Sequence, residues 1–257
     1  MRYVGHLGAL SVLCLLGTQG APAQAEPCGD QACVGKVASA PIGRAAGVTM
    51  ADQAERCSGL QIEVKASLAD ERRLACSAAA DTLRLLGRCG ITLKRPLRIE
   101  ILSEVRHPFS GPIFGMFDIA QERVLVTKEA SMPALVEDTP YAALPRPEFY
   151  KSLIVHEIVH GVMHQNLRRK ATTHAAYEYP AYALQIASLP ADVRETFLRS
   201  FDPMALRSNT LFNDSVLFFD PYFFAARAYH HFANAPDACA HLTGLLSGEV
   251  AFIAPPM

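Results

Sequence analysis

Residues 156–160 of this chain, His-Glu-Ile-Val-His, contain side chains that could hold and use a metal ion. Two histidines four residues apart on a helix project from one face, so His156 and His160 could bind the same ion. Glu157 could then act as general base on a water molecule bound to that ion. The alternative is a buried helix in which unrelated partners satisfy two histidines and a glutamate.

The residues around this motif favour the metal site. Apart from the two histidines, the glutamate and Ser152, every residue from 152 to 163 is apolar or glycine. This composition predicts a helix, roughly Pro147 to Asn166, that is buried on nearly all sides. A carboxylate in such a helix costs free energy unless something compensates its charge. A zinc ion with its water would provide that compensation.

A third ligand is needed, because a catalytic zinc ion has three protein ligands and a water molecule. His164 continues the same helical face, but it lies two turns from His156, roughly 12 Å along the axis, which is too far. The longer HExxHxxGxxH form is absent, since Met163 occupies its glycine position. Glu178 follows His160 by 18 positions, which leaves room for a turn and a returning helix. The alternative for Glu178 is a surface position in a tyrosine-rich helix, and the nearby Pro180 places it close to a helix start.

The elements that must position these residues can be predicted from hydrophobic periodicity and from capping residues. Alternating apolar residues indicate strands, and a two-residue turn indicates a hairpin. The predicted strands are at 60–65, 97–101, 114–119 and 123–127, and the predicted helices are at 67–86, 147–166, 175–188, 190–200, 221–233 and 236–246. This order predicts an α+β fold, with a small mixed sheet and a helix, then the motif helix and a helical C-terminal half.

With these elements around it, the chain resembles the zincin metallopeptidases of the gluzincin type, in which a glutamate on the next helix completes the zinc site. The resemblance covers roughly residues 60–190. It implies one zinc ion per chain, bound by His156, His160 and Glu178. It also implies that Glu157 takes a proton from water and passes it to the leaving amine of a peptide or protein substrate. The strand at 115–118 would pair with an extended substrate, or be an ordinary edge strand.

Two further positions matter for this resemblance. Some gluzincins carry an acidic residue four positions after the ligand glutamate, where it orients a ligand histidine; here Tyr182 occupies that position. A hydrolase of this kind also needs a donor for the developing oxyanion. We predict Tyr229 or His231, on a late helix, for this role, with the neighbouring His230 and the nearer Tyr179 and Tyr182 as alternatives.

The N-terminus predicts export. Arg2, the apolar stretch 7–16 and the small residues Ala23 and Ala25 are typical of a signal peptide over residues 1–25, although a retained anchor is the alternative. Residues 26–58, rich in Ala, Gly and Ser, predict a loosely ordered leader, and residues 59–257 a single zincin-like metallohydrolase domain. No later stretch has a membrane-spanning pattern, so the expected location is the periplasm or the external medium.

The cysteines agree with export, because an even number remains after removal of Cys14 with the signal. These six predict up to three disulfides in an oxidising compartment. Proximity favours Cys28 with Cys33 and a pairing among Cys57, Cys76 and Cys89, and the sixth cysteine is Cys239. The absence of any CxxC pair argues against a cysteine zinc site.

Composition limits the function classes. The chain is 50% hydrophobic and 19% charged, as expected for a folded core, and its net charge of -1 gives no electrostatic case for nucleic acid. The leading hypothesis is an exported zinc-dependent hydrolase, above all a peptidase. The second is a zincin-shaped metal-binding or structural protein without turnover, and the third a disulfide-stapled exported protein without metal. The oligomeric state does not follow from the sequence.

Overall fold

The computed structural model describes residues 53–108, 111–168, 173–207 and 212–252. The predicted signal peptide, most of the predicted leader and the Cys28–Cys33 pair lie outside these residues. The strands are β1 (Gln53–Arg56), β2 (Ile62–Ala66), β3 (Leu97–Leu102), β4 (Val105–His107), β5 (Gly111–Ile113), β6 (Gly115–Asp118) and β7 (Arg123–Thr127). The helices are α1 (Ala69–Gly87), α2 (Pro133–Val136), α3 (Arg146–Asn166), α4 (His174–Ser188), α5 (Ala191–Leu198), α6 (Pro203–Leu206), α7 (Asp214–Phe219), α8 (Pro221–Asn234) and α9 (Ala238–Ser247). The predicted α+β class, with a helical C-terminal half, is confirmed.

The larger sheet has the strand order β1-β2-β3-β7-β6. Its inner strands β2, β3 and β7 run parallel, whereas β1 and β6 are antiparallel to their neighbours. The prediction of a loosely ordered leader up to residue 58 is wrong for β1. This strand shows no apolar alternation, but the Glu55 carboxylate pairs with the buried Arg72 guanidinium at 3.2 Å, and Cys57 immediately after it is bonded to Cys76.

Helix α3, which carries the motif, lies on the sheet between α1 and α4. Every residue from Ser152 to Met163 is buried, as predicted. Gly161 allows a close approach, because an added Cβ there would lie 3.2 Å from Leu97 Cδ1 and 3.3 Å from Phe117 Cε2. Helix α3 therefore packs closely against the sheet. This close packing fixes the distance between the motif residues and strands β6 and β7.

Helix α4 packs between α3 and α8 and supplies the second half of the site. Thr173 caps the N-terminus of α4, because its hydroxyl accepts a hydrogen bond from the Ala176 N–H at 3.1 Å. Pro180 lies inside the helix and has no N–H to donate to the Ala176 carbonyl. Glu178 is the fifth residue of α4, which agrees with the prediction that it lies close to a helix start.

Two disulfides join described residues. Cys57 pairs with Cys76, within the predicted group. Cys89, just after α1, pairs with Cys239 on α9, a pairing that proximity in sequence did not favour. Both bonds are consistent with an exported protein. In the part of the chain that the structure describes, no helix combines the length and apolar character needed to cross a bilayer.

The Cys89–Cys239 bond should contribute more to stability than the Cys57–Cys76 bond. The first closes a loop with a sequence separation of 150 residues and the second one of 19 residues. Loss of loop-closure entropy in the unfolded chain then predicts that Cys89→Ser with Cys239→Ser lowers the free energy of unfolding by about 5 kcal/mol. The matched pair Cys57→Ser with Cys76→Ser should cost about 3 kcal/mol. Urea unfolding of both variants tests this order, and a larger cost for the short loop would contradict it.

Candidate metal centre

Helices α3 and α4 bring the three predicted metal ligands together. His156 Nε2 lies 3.0 Å from His160 Nε2 and 3.3 Å from Glu178 Oε2. His160 Nε2 lies 3.4 Å from Glu178 Oε1. The exposed fraction is 1% for each histidine and 3% for the glutamate. The group is thus compact, buried and formed by two adjacent helices.

This group could hold a metal ion. One potential ligand atom from each residue lies within 4.8 Å of the others, and no other such group of three occurs among the residues described. His160 Nδ1 is buried without a hydrogen-bond partner among the described residues, and the buried Glu178 oxygens lie against the two histidines. Two imidazole nitrogens and a carboxylate that converge away from water repel one another unless a positive charge lies among them. A divalent ion would supply that charge, and the donor set fits zinc.

A proton on one imidazole would supply positive charge as well. Burial raises the pKa of Glu178, but the imidazoles of His160 and His156 lower it by more, so its pKa lies well below the ordinary value. In the metal-free protein Glu178 is therefore an anion, and a proton on His160 Nε2, 3.4 Å from Glu178 Oε1, would pair with it. The same arrangement serves as a buried ion pair without metal and as a ligand set with it.

Glu157 lies beside this group and faces the edge strand β6. Its exposed fraction is 3%, and its Oε2 atom is buried with no hydrogen-bond partner in the described part of the chain. Burial raises its pKa to about 8, with an opposing effect of His156 and a reinforcing effect of Glu178. A Cβ added at Gly115 would lie 2.8 Å from the Leu125 carbonyl oxygen and 3.0 Å from Glu157 Cγ. The bare backbone of Gly115 therefore leaves the space that Glu157 occupies.

Aromatic rings enclose the histidines. The Tyr177 ring stacks on His160, with centroids 4.4 Å apart and an interplanar angle of 14°. The Tyr182 ring meets His156 edge-on at 4.6 Å. These contacts restrict both imidazoles to the orientations in which their Nε2 atoms face Glu178.

The residue that orients His156 is Gln185, which sequence reasoning missed. Gln185 Oε1 lies 2.9 Å from His156 Nδ1, whereas the Tyr182 hydroxyl is buried and has no hydrogen-bond partner among the residues that the structure describes. Gln185 follows Glu178 by seven residues, so both project from the same face of α4. Extending the search for an orienting group by one helical turn beyond Tyr182 would have found it.

The two predicted oxyanion donors lie on α8, outside the His-His-Glu group. His231 Nδ1 forms a hydrogen bond with the Tyr179 hydroxyl at 2.6 Å, and the Tyr229 ring lies 5.2 Å from the Arg194 guanidinium carbon. Among the described residues, neither bonds to the His-His-Glu group or to Glu157. Adjacent residues of a helix diverge by about 100°, so His231 meets a different face of α4 from the one that bears Glu178. Their role as donors stays a prediction.

Fold and site together define an α+β protein with a buried His-His-Glu group, held between two helices, that could bind a metal ion. The chain belongs to DUF6639, a family of unknown function, which it matches over residues 62–255. The match includes β2, every described element after it and the whole of the candidate centre. No curated protein and no solved structure is significantly similar to the chain.

Proposed function

We propose that the protein is an exported zinc-dependent hydrolase, and specifically a peptidase of the gluzincin type. The observation that carries this proposal is the convergence of His156, His160 and Glu178 beside Glu157 in a buried site. Two imidazoles and one carboxylate from the protein are a typical ligand set of catalytic zinc, which keeps its remaining position for water or substrate. The two disulfides support export.

The proposed reaction gives each residue of the site a separate role. A bound zinc ion would polarise a water molecule and the carbonyl of the substrate. The charge of the ion would favour the ionised form of Glu157, which would take a proton from that water through the oxygen that has no hydrogen-bond partner among the described residues. Glu157 would later release the same proton to the leaving amine. Gly115, which has no Cβ, leaves the space that the Glu157 side chain needs beside the ligand group.

The edge strand β6 supports a peptide as the substrate. It is the last strand in the order of the larger sheet, so only one of its edges pairs within that sheet. An extended peptide could add to the other edge through backbone hydrogen bonds. Gly115 begins this strand and is in near contact with Glu157. A peptide bound there would place its backbone close to the general base.

A metal-binding protein without turnover is the second candidate. One observation favours it: His156, His160, Glu157 and Glu178 are all at most 3% exposed. A substrate would have to displace surrounding side chains to reach them. The predicted oxyanion donors also lie outside the group, which leaves the charge of a developing oxyanion to other residues.

Metal analysis combined with a peptide-library assay tests the proposed function. We expect one zinc ion per purified chain, and cleavage of at least some peptides that a chelator abolishes and added zinc restores. Stoichiometric zinc without cleavage of any peptide would support the metal-binding protein instead. Protein that contains no zinc and takes up none would contradict both candidates.

A further inference from the structure

Zinc binding by His156 depends on where the imidazole carries its proton, and this dependence rests on the proposed function. A neutral imidazole has one N–H and one nitrogen with a free lone pair. His156 Nε2 faces His160 and Glu178, so it must keep its lone pair to act as a ligand. The proton must then be on Nδ1, which lies 2.9 Å from Gln185 Oε1. An amide oxygen only accepts hydrogen bonds, so this contact favours the tautomer that can bind metal.

The orientation of the Gln185 amide therefore matters. With the amide reversed, its NH2 group would face Nδ1, and the proton of His156 would be driven to Nε2. The Tyr141 hydroxyl lies next to the Gln185 side chain. Gln185 Nε2 and the Tyr141 hydroxyl are both buried, and neither forms a hydrogen bond among the residues described. Tyr141 is thus the group positioned to accept from Nε2 when Oε1 faces His156.

The Tyr141 ring is itself held in place. It stacks on Phe149 with centroids 4.6 Å apart and on Phe197 at 5.1 Å. The Tyr222 ring meets it edge-on at 5.4 Å. Tyr141 lies in the short 3-10 helix Pro140–Ala143, just before α3. The Tyr141 hydroxyl is therefore held beside Gln185 of α4. Through Gln185 it can influence His156 of α3.

We propose that Gln185 and the adjacent Tyr141 hydroxyl, by forming with each other the hydrogen bond that both now lack, complete a neutral relay that holds His156 in its metal-binding tautomer. The relay takes the place of the acidic group that is absent at Tyr182. Gln185 and Tyr141 are positioning residues, since neither provides a ligand atom of the group. Sequence spacing alone would not predict that Tyr141 and Gln185 are neighbours, because Tyr141 lies in the segment before α3 and Gln185 lies in α4.

The neutrality of the relay fits the charges of the centre. Glu157 and Glu178 together balance one divalent cation. A third carboxylate in the position of Gln185 would leave a buried negative charge without compensation, at a cost in stability. The other side chains that contact the histidines, Tyr177 and Tyr182, add no charge. An amide thus orients His156 without disturbing this balance.

Zinc affinity, measured by competition with a chromophoric chelator, tests the relay. We expect Gln185→Leu to weaken zinc binding about 10- to 100-fold, the usual effect of losing a group that orients a ligand. Gln185→Glu keeps the acceptor and should bind zinc at least as tightly as the wild type. Tyr141→Phe should weaken binding severalfold. Tyr150→Phe is the matched control, because Tyr150 is an equally buried tyrosine whose hydroxyl forms no hydrogen bond among the described residues, and it should bind like the wild type.

The nitrogen-15 shifts of His156 in the metal-free protein provide a second measurement, in each case on protein whose thermal unfolding shows a native fold. We expect a proton on Nδ1 in the wild type and its transfer to Nε2, facing Glu178, in Gln185→Leu. Zinc binding and Nδ1 protonation that are both unchanged in Gln185→Leu would overturn the relay and leave the metal centre intact. A wild type that shows the expected shifts but takes up no zinc would instead overturn the proposed function and leave the relay standing.

Discussion

Glu157→Gln should retain zinc and lose hydrolytic activity by about 100- to 10,000-fold, the usual contribution of a general base. The amide has the size of the carboxylate but cannot take a proton from water. Glu157 is not part of the ligand group, so its replacement leaves His156, His160 and Glu178 in place. The turnover rate on a cleaved peptide, with zinc content measured on the same preparation, tests the expectation. Activity close to that of the wild type at full zinc content would exclude Glu157 as the base.

The same substitution should stabilise the metal-free protein above neutral pH. Burial raises the pKa of Glu157 to about 8, from an ordinary value of 4.5. The folded state then binds this proton more tightly than the unfolded state, so stability falls as the pH rises from about 4.5 to about 8. At pH 7 the loss is on the order of 3 kcal/mol, since each pKa unit corresponds to about 1.4 kcal/mol.

Urea unfolding of metal-free wild type and Glu157→Gln at two pH values measures this effect. Near pH 4 the carboxyl is protonated and resembles the amide, so the two proteins should unfold alike. Near pH 8 the variant should be the more stable one. Equal stability at both pH values would show that Glu157 is not held in a buried, uncompensated environment.

Removal of a ligand should have the second largest effect. We expect His160→Ala and Glu178→Ala each to weaken zinc binding more than about 100-fold, beyond the loss from an orienting group. Each substitution deletes one of the three donors that converge within 4.8 Å. His164→Ala is the matched control on the same helix, because His164 packs on Phe117 with ring centroids 5.5 Å apart and lies outside the group.

Chelator competition and the zinc-dependent increase in melting temperature are the measurements for these variants. His164→Ala should behave like the wild type in both. If Glu178→Ala bound zinc as tightly as the wild type, the third ligand would have to be another residue, although His156 and His160 could remain ligands.

The parts of the site that the sequence predicts are those determined by local geometry. His156, Glu157 and His160 lie on one helix, whose apolar composition also predicted its burial. Glu178 depends on one turn and one returning helix, so spacing could permit its contact without requiring it. Gln185 was missed, although it lies on the same helical face as Glu178 and a search one turn beyond Tyr182 would have made it a candidate; its contact with His156 is seen only in the structure.

The features that the sequence did not predict depend on long-range packing. The bounds of α8 were predicted closely, yet the face on which Tyr229 and His231 lie depends on how α8 packs against α4. β1 lacks apolar alternation, and it is held by pairing with β2 and by a salt bridge and a disulfide that join it and the adjacent Cys57 to α1. The Cys89–Cys239 bond joins residues separated by 150 positions, a pairing that no local pattern encodes.

That bond also determines what a break in the backbone would do. The chain between Cys89 and Cys239 is a covalently closed ring, and it contains every residue of the candidate centre and of the relay. One cleavage anywhere within the ring would leave both pieces joined through sulfur. After such a nick α3 and α4 would stay covalently linked, and they would separate only where the disulfide can be reduced.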